Sequence, residues 1–377
     1  MSEIKKDKFG PEYVIEVYDP KIGMEGFLVI DNTALGLGKG GIRMTPNVTK
    51  EEVFRLARVM TWKNSLAGIP FGGAKAGIVW RGGNDELKQE FIRSFARMIK
   101  PFVPKKYIPG PDVNTTEKEM ALIAEEIGDW KGATGKPSDY CYKNPKTGKK
   151  ICGLPHELGS TGFGVAHATS VAAETAGFDI KKMTVAIDGF GNVGEFAFRY
   201  LQKMGAKIVA VAGSRGGVYD ASGLNLEKLL KLKSQNKPMT KYPTGKKIKH
   251  SEIFELPVDI LIPASVTDVI NESNKDKIKA KIIVEGANIP MGENIENELF
   301  KKGIIIVPDF VANAGGVISS YAEYKGCSPK QMFEMVEKRL RCRAKEIMEK
   351  SIAENKNPRK VAMEIALKRI GGKKISG

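Results

Sequence analysis

Residues 183–212 constrain the fold more than any other stretch. An apolar strand pattern at 183–188 runs into Gly189-Phe190-Gly191-Asn192-Val193-Gly194. A helical pattern follows, with Phe196, Ala197, Tyr200, Leu201 and Met204 on one face. Gly205 stops it, and a second strand pattern occupies 207–212. A bare GxGxxG is a weak signal, but strand, glycines, helix and strand in this order specify a dinucleotide-binding unit. The glycines permit a tight turn and let the backbone approach a pyrophosphate, which rests on the helix N-terminus. Gly189, Phe190, Gly191, Asn192, Val193 and Gly194 are therefore candidate cofactor contacts.

Further strand patterns at 258–264, 282–288 and 304–309 are runs of Val and Ile ending in small or polar residues. They suit buried parallel strands whose C-terminal ends line a cofactor crevice, and they add Ala264 to the candidates. The strand at 207–212 leads into Gly213-Ser214-Arg215, about 20 residues past the glycines. NAD enzymes place an Asp or Glu near this point for the ribose 2′-hydroxyl. Here Gly213 leaves no acid, while Ser214 and Arg215 offer a hydroxyl and a cation to a 2′-phosphate. The expected cofactor is NADP, with use of NAD as well left open. The competing reading of Arg215 is a turn residue facing solvent.

A chain of 377 residues has room for about two domains with cores of their own. Ahead of the dinucleotide unit, Tyr13 to Tyr18 and Gly26 to Ile30 alternate like β-structure around a turn at Asp19-Pro20 and Gly23. A glycine-rich stretch from Leu35 to Arg43 carries one lysine, Lys39. In residues 61–78, TWKNSLAGIPFGGAKAGI, two lysines, Lys63 and Lys75, bracket a Pro70-Phe71-Gly72-Gly73 turn. The amphipathic run Val53, Leu56, Ala57 and Met60, opened by a Thr49-x-x-Glu52 capping box, puts Lys63 near a helix C-terminus. Lys75 on a small, apolar loop is open to desolvation, which lowers a lysine pKa and suits it to proton chemistry. Gly110-Pro111-Asp112-Val113 precedes a helix capped by Thr116-x-x-Glu119. Residues 134–162, rich in Gly, Pro and Lys, mark the passage between domains, and Ser328-Pro329 opens a long helix that ends before Asn357-Pro358, where a last short helix starts.

The formal charge of +16 raises the question of nucleic acid. The lysines are dispersed, however, and patches such as Lys246-Lys247-Ile248-Lys249 lack interleaved aromatics or a nucleic-acid motif, so no nucleic-acid partner is expected. No apolar run approaches the ~20 residues that span a bilayer. MSEIKKDKFG has no apolar signal core, and the expected location is the cytoplasm. Cys141, Cys152, Cys327 and Cys342 form no CxxC pair, and three scattered histidines complete the inventory, so no metal site is expected. Cys141 and Cys152 flank a hairpin tip at 144–148; in a cytoplasmic protein they are expected as free thiols.

The lysine-bearing string at 61–78 resembles the signature of the glutamate, leucine, phenylalanine and valine dehydrogenases, and the resemblance extends from about residue 18 to about residue 370. It implies an α/β fold of two domains with a cleft between them. An N-terminal α/β substrate domain would occupy residues 1–155 and a Rossmann-type, doubly wound dinucleotide-binding domain residues 156–325. C-terminal helices at 326–377 would pack back on the first domain. The implied reaction is NAD(P)-dependent oxidative deamination of an amino acid and its reversal. GPDVNTTEKEM resembles the family's catalytic-aspartate loop, which pairs Asp112 with Lys75 as the catalytic residues and leaves Lys63 for the α-carboxylate. Lys39 stands where the glutamate enzymes keep a lysine and the leucine enzymes an apolar residue. Ser320 stands at the matching hydroxyl position, and Gly40 and Gly41 adjoin Lys39. The implied substrates are glutamate, 2-oxoglutarate and ammonia. Thr161 and Gly162 match the start of the family's connecting helix, and Asn288 and Asn313 match asparagines near the nicotinamide. Two features depart from the glutamate pattern. The opening strands resemble leucine dehydrogenases, and GLPHELGSTG replaces a short GGSxGR-type segment. A homohexamer is the expected assembly. The alternatives are a leucine or branched-chain dehydrogenase, and a non-catalytic nucleotide-binding regulatory protein of the same fold.

Overall fold

The computed structural model describes residue 4 and residues 6–371. The chain forms two compact units. One takes the residues up to Leu158, Val317–Met335 and those from Glu364 on; the other takes Gly159–Gly316 and Val336–Met363.

The first unit is built on β1 (Tyr13–Asp19), β2 (Met24–Asn32), β3 (Gly38–Thr45), β4 (Gly72–Val79) and β5 (Tyr107–Pro111), in the order β1-β2-β4-β3-β5. β1 and β2 form the expected antiparallel hairpin, β2 pairs antiparallel with β4, and β3 runs parallel to both β4 and β5. The alternation along β2 sorts its two faces. Phe27 and Val29 meet Val53 and Ala57 of α1 (Lys50–Leu66). Leu28 and Ile30 join Phe95 of α2 (Asp85–Ile99) and Ile123 of α3 (Glu117–Ile127) in the larger core. The predicted capping box forms in full at Thr116 with Glu119, but at Thr49 only half of it does: Glu52 N donates to Thr49 Oγ1, while the Glu52 carboxylate turns to Arg43.

A small hairpin of β6 (Cys141–Lys143) and β7 (Lys150–Cys152) follows. The expectation of free thiols is corrected here. Cys141 and Cys152 face each other in register across the hairpin and are joined as a disulfide. Two cysteines at the base of so short a loop are held together by the strand pairing itself, whatever compartment is assumed.

The second unit begins with α4 (Ser160–Thr175), buried from Ser160 to Ala173. Then come β8 (Thr184–Asp188), α5 (Asn192–Lys203), β9 (Lys207–Gly213), β10 (Gly216–Tyr219), α6 (Leu226–Ser234), β11 (Lys246–Ile248), β12 (Ile260–Pro263), β13 (Ile282–Val284), α7 (Glu293–Lys301), β14 (Ile305–Val307) and the short α8 (Asp309–Ala312). The sheet order is β11-β10-β9-β8-β12-β13-β14. Five strands are parallel, and β10 with β11 adds an antiparallel edge that the sequence patterns did not signal. The chain leaves β8 toward β9 and later returns to its other side at β12. This reversal makes the C-terminal ends of β8 and β12 the switch point of a doubly wound sheet, where such folds bind their ligands.

Three helices close the chain: α9 (Gly315–Tyr324), α10 (Pro329–Glu354) and α11 (Pro358–Gly371). Residues 326–377 were expected as one group on the first domain, but residues 336–363 cluster with the second unit. Arg359, at the start of α11, supplies a physical reason. Its guanidinium meets Glu285 at 2.8 Å, Asp309 at 3.1 Å and the Glu296 carboxylate, all of them largely buried. Burial raises the pKa of Glu285 and of Glu296, with Arg359 opposing the rise. Among the described residues, no helix is long and apolar enough to cross a membrane.

Removing the one cation among three buried carboxylates leaves uncompensated charge. Arg359→Met should therefore lower stability by about 3–5 kcal/mol in urea titrations near pH 8. Because protonating the carboxylates relieves the repulsion, the deficit should shrink as pH falls toward 5; a deficit that does not change with pH would contradict this account.

Candidate active site

Lys75 was expected on a loop, but it lies inside β4, every residue of which is buried. The small residues Gly72, Gly73, Ala74, Ala76 and Gly77 explain the difference. They let the strand be paired on both edges while α1 lies directly on its backbone. A Cβ on Gly73 would come within 2.3 Å of Thr61 N. The lysine side chain, 6% exposed, ends 2.8 Å from Asp112 Oδ2.

Asp112 follows the end of β5. Its backbone N–H donates to Thr115 Oγ1 at 2.9 Å, and Thr115 Oγ1 in turn donates to Ile42 O at 2.7 Å. Arg43 Nε reaches Asp112 Oδ2 at 3.1 Å, and Arg43 Nη1 reaches Glu52 Oε1 at 2.6 Å. Burial alone would raise the carboxyl pKa; Lys75 and Arg43 outweigh it and hold Asp112 below the usual carboxylate range. The predicted catalytic pair is thus brought together, as an ion pair braced by a guanidinium.

Lys39 stands on β3, which was expected only as a glycine-rich stretch. It is 3% exposed, and its ammonium makes no hydrogen bond or ion pair with any described residue. Burial lowers its pKa to about 7; Lys75 and Lys136 push the same way and Glu323 opposes them. Gly40 O accepts from Tyr107 Oη at 3.0 Å, and a Cβ on Gly41 would lie 2.7 Å from Asp112 Cβ. Lys63 is half-buried in the last turn of α1, where it was expected. Its neighbour Asn64 donates to Lys39 O at 3.2 Å and Gly72 O at 2.6 Å, fixing that turn against β3 and β4.

Ser320 is half-buried on α9, one turn before Glu323. Residues three apart share a helix face, and the Glu323 carboxylate is the anion felt by Lys39. Glu323 and Lys136 are both fully buried, with Lys136 Nζ 2.5 Å from Glu323 Oε1. Glu323 Oε2 also accepts from Gly135 N at 2.7 Å and Leu154 N at 2.9 Å. The sequence reading assigned no role to Arg43, Asn64, Thr115, Lys136 or Glu323, and gave Glu52 only that of a capping residue. Lys136 and Glu323 stand far apart in the chain, and no local pattern joins them.

In the second unit the glycine fingerprint has the geometry its spacing implies. Gly189 has φ +94°, and a Cβ there would lie 2.8 Å from Ala264. A Cβ on Gly194 would strike Gly189 O at 1.9 Å, whereas Gly191 faces open space. The turn, the open approach and the close helix–strand packing thus fall to the first, second and third glycines, and α5 starts at Asn192. Phe190 is buried against Phe198, while Val193 is half-buried. Thr161 lies in the first turn of α4, beside Gly315 and Gly316. Asn313 Nδ2 donates to Asn288 Oδ1 at 3.0 Å, while the buried Asn313 Oδ1 accepts from no described residue. An orphaned buried acceptor suits the N–H₂ of a carboxamide. With the open Gly191, it makes these residues a fit for a nicotinamide dinucleotide.

Ser214 and Arg215 form the exposed turn of the β9–β10 hairpin, and Arg215 Nη2 donates to Asn236 Oδ1 at 2.9 Å. No acid stands at the end of β9. The sequence reading overlooked Asp188, fully buried at the end of β8 between His250 Nε2 (2.6 Å) and the Ser265 hydroxyl. Burial raises its pKa against both bonds. Sitting beneath the glycine turn and closed to solvent, it is not placed like a ribose-binding acid.

The family model "Glutamate/Leucine/Phenylalanine/Valine dehydrogenase" matches residues 153–375, and the model of the family's dimerisation domain matches residues 11–129. The glutamate dehydrogenase of Aeropyrum pernix is 44% identical over 305 residues, 78% of this chain and 70% of that protein. The NADP-specific glutamate dehydrogenase of Saccharolobus shibatae is 39% identical over 330 residues, 83% of this chain and 75% of that protein. The hetero-hexameric glutamate dehydrogenase of Thermus thermophilus, in its Leu-bound form, superimposes with a TM-score of 0.82 at 25% identity. That match covers 97% of this chain and 89% of the other. The chain belongs to the Glu/Leu/Phe/Val dehydrogenase family.

Proposed function

We propose that the protein is a glutamate dehydrogenase that prefers NADP, converting L-glutamate to 2-oxoglutarate and ammonia and running the reverse reductive amination. The observation that carries this reading is Lys39, a buried amino group that has no partner and whose charged form would lack a counter-ion. An unpaired buried charge is costly. A substrate with a second carboxylate removes that cost, and an apolar amino acid does not. Ser320, on the same face of α9 as Glu323, adds a hydroxyl donor. The names of the Aeropyrum and Saccharolobus relatives point the same way. The assembly is proposed to be a hexamer, as in the Thermus relative.

When bound, the nicotinamide cofactor accepts the hydride in deamination and donates it in amination. Lys63 holds the α-carboxylate and so orients the Cα–H bond. Ionised Asp112, fixed by Arg43, takes a proton from the amine nitrogen. Lys75, 2.8 Å from that carboxylate, exchanges protons with it, activates the water that attacks the substrate imine and stabilises the developing carbonyl oxygen. This ion pair also speaks against a non-catalytic binding protein.

Lys75→Ala or Asp112→Asn should lower kcat for glutamate at least about a hundredfold, the scale of general acid–base catalysis, while NADPH binding measured by fluorescence survives. Turnover within about threefold of the parent would sink the assignment of the pair.

Ser214 and Arg215 are proposed to hold the 2′-phosphate. Arg215→Ala should narrow the advantage of NADP over NAD in kcat/KM. A parent enzyme about tenfold better with NAD would refute the preference.

If Lys39 and Ser320 select the dicarboxylate, Lys39→Leu combined with Ser320→Val should depress activity on glutamate and leave or raise activity on leucine or norvaline. Assays at 340 nm with each amino acid decide the point, and a parent that already prefers leucine would overturn it.

A further inference from the structure

Lys75, Lys136 and Arg43 around Lys39 are each paired with a carboxylate, and none of those carboxylates is left over for Lys39. From β4 comes Lys75, already paired with Asp112 at the end of β5. From residues 133–136 comes Lys136, paired with Glu323 of α9. Glu323 has no oxygen to spare, since Oε1 meets Lys136 Nζ and Oε2 takes the N–H groups of Gly135 and Leu154. α1 presents Asn64, a neutral amide committed to Lys39 O and Gly72 O, next to Lys63. β5 presents the Tyr107 hydroxyl, bound to Gly40 O. Arg43, on β3 itself, is taken by Asp112 and Glu52. Asp112, Glu323 and Glu52 therefore balance Lys75, Lys136 and Arg43, and Lys39 has no counter-charge.

We propose that the distal carboxylate of the substrate enters this site together with one proton, which is taken up by the Lys39 amine. The proposal rests on the reading of the substrate as a dicarboxylate. The proton comes from solvent and forms an N–H bond at the Nζ lone pair; no bond of the substrate breaks.

The sign follows from linkage. With its pKa lowered to about 7 in the free protein, Lys39 is largely neutral at pH 8. A carboxylate beside it stabilises the ammonium and raises that pKa, so the complex holds a proton that the free protein lacks. Dicarboxylate affinity then falls as pH rises above about 7, by up to about tenfold per pH unit until the raised pKa is reached. A monocarboxylate, which leaves Lys39 without a partner, lacks this dependence. Selectivity for dicarboxylates is thus greatest on the acid side of the range.

The test is calorimetric titration of the intact protein, saturated with NADPH, with glutarate, a five-carbon dicarboxylate that cannot be aminated. Titrations at pH 8 in phosphate and in Tris, whose ionisation heats differ, count the protons exchanged. The parent should take up about one proton per glutarate bound, and its dissociation constant should rise steadily from pH 7 to pH 9. Lys39→Arg, which keeps a permanent charge, should bind glutarate with no uptake and a nearly flat pH profile. Glutarate binding by the parent without proton uptake, or with a flat profile, would overturn the proposal alone. Uptake that persists unchanged in Lys39→Arg would overturn it too. Failure of the parent to bind glutarate at all would sink the dicarboxylate reading along with it. Should the arginine prove too large beside Gly110, the parent's own proton count and pH profile still decide.

Discussion

The approach of α1 to the backbone of β4 is the constraint from which the substrate side of the molecule follows. Nothing larger than glycine fits at position 73, because Thr61 of the helix occupies the space a Cβ would need. That contact strips water from Lys75. It also brings the helix C-terminus, with Lys63 and Asn64, over the N-terminal ends of β3 and β4. Asn64 then ties the two parallel strands together through carbonyls at Lys39 and Gly72. A buried lysine needs a counter-charge, and Asp112 supplies it from the end of β5, on the far side of β3. The small residues that permit the helix contact also create the dry surroundings in which Lys75 and Lys39 are buried.

The two units use buried charge differently. Around Lys75 and Lys39 the basic groups outnumber the carboxylates that pair with them. Around Arg359 the excess is negative, with three carboxylates sharing one guanidinium. That cluster holds a loop: Asp309 accepts from Ile289 N, and Asp309 N donates to Glu285. Ile289 itself has φ +48°, uncommon for a branched residue. The backbone next to Asn288 is therefore kept in a strained shape by an electrostatic anchor.

Much of this was legible in the sequence, for identifiable reasons. The glycine fingerprint, the N-cap at Thr49, the capping box at Thr116 and the position of Lys63 are encoded within a few residues, and local rules read them well. The strand character of Gly38–Thr45 and Gly72–Val79 was not legible. Glycine-rich strings look like loops until neighbouring strands and a helix are present to demand small residues. Arg43, Lys136 and Glu323 were missed because their partners lie far off in the chain. The disulfide was misjudged because an argument from compartment was set against one from geometry, and the register of the hairpin decided it. The division of the C-terminal helices escaped notice because it depends on Arg359 finding three carboxylates scattered from residue 285 to residue 309.

One atom in the first unit has a wider meaning. Glu323 Oε2 accepts from Gly135 N and from Leu154 N, so a single oxygen clasps both ends of the segment between them. The Cys141–Cys152 hairpin lies wholly within that clasp. The positions of Lys136 and of the chain leading into α4 are therefore set at the neck of the excursion, while Tyr142 within it stacks on Trp130, whose ring lies under the Lys136 ammonium. Only the exposed tip beyond those contacts is free to be lengthened or replaced without disturbing the charge balance beside it. For protein engineering, the tip at 144–149 is accordingly a natural place to graft a foreign loop or a reporter.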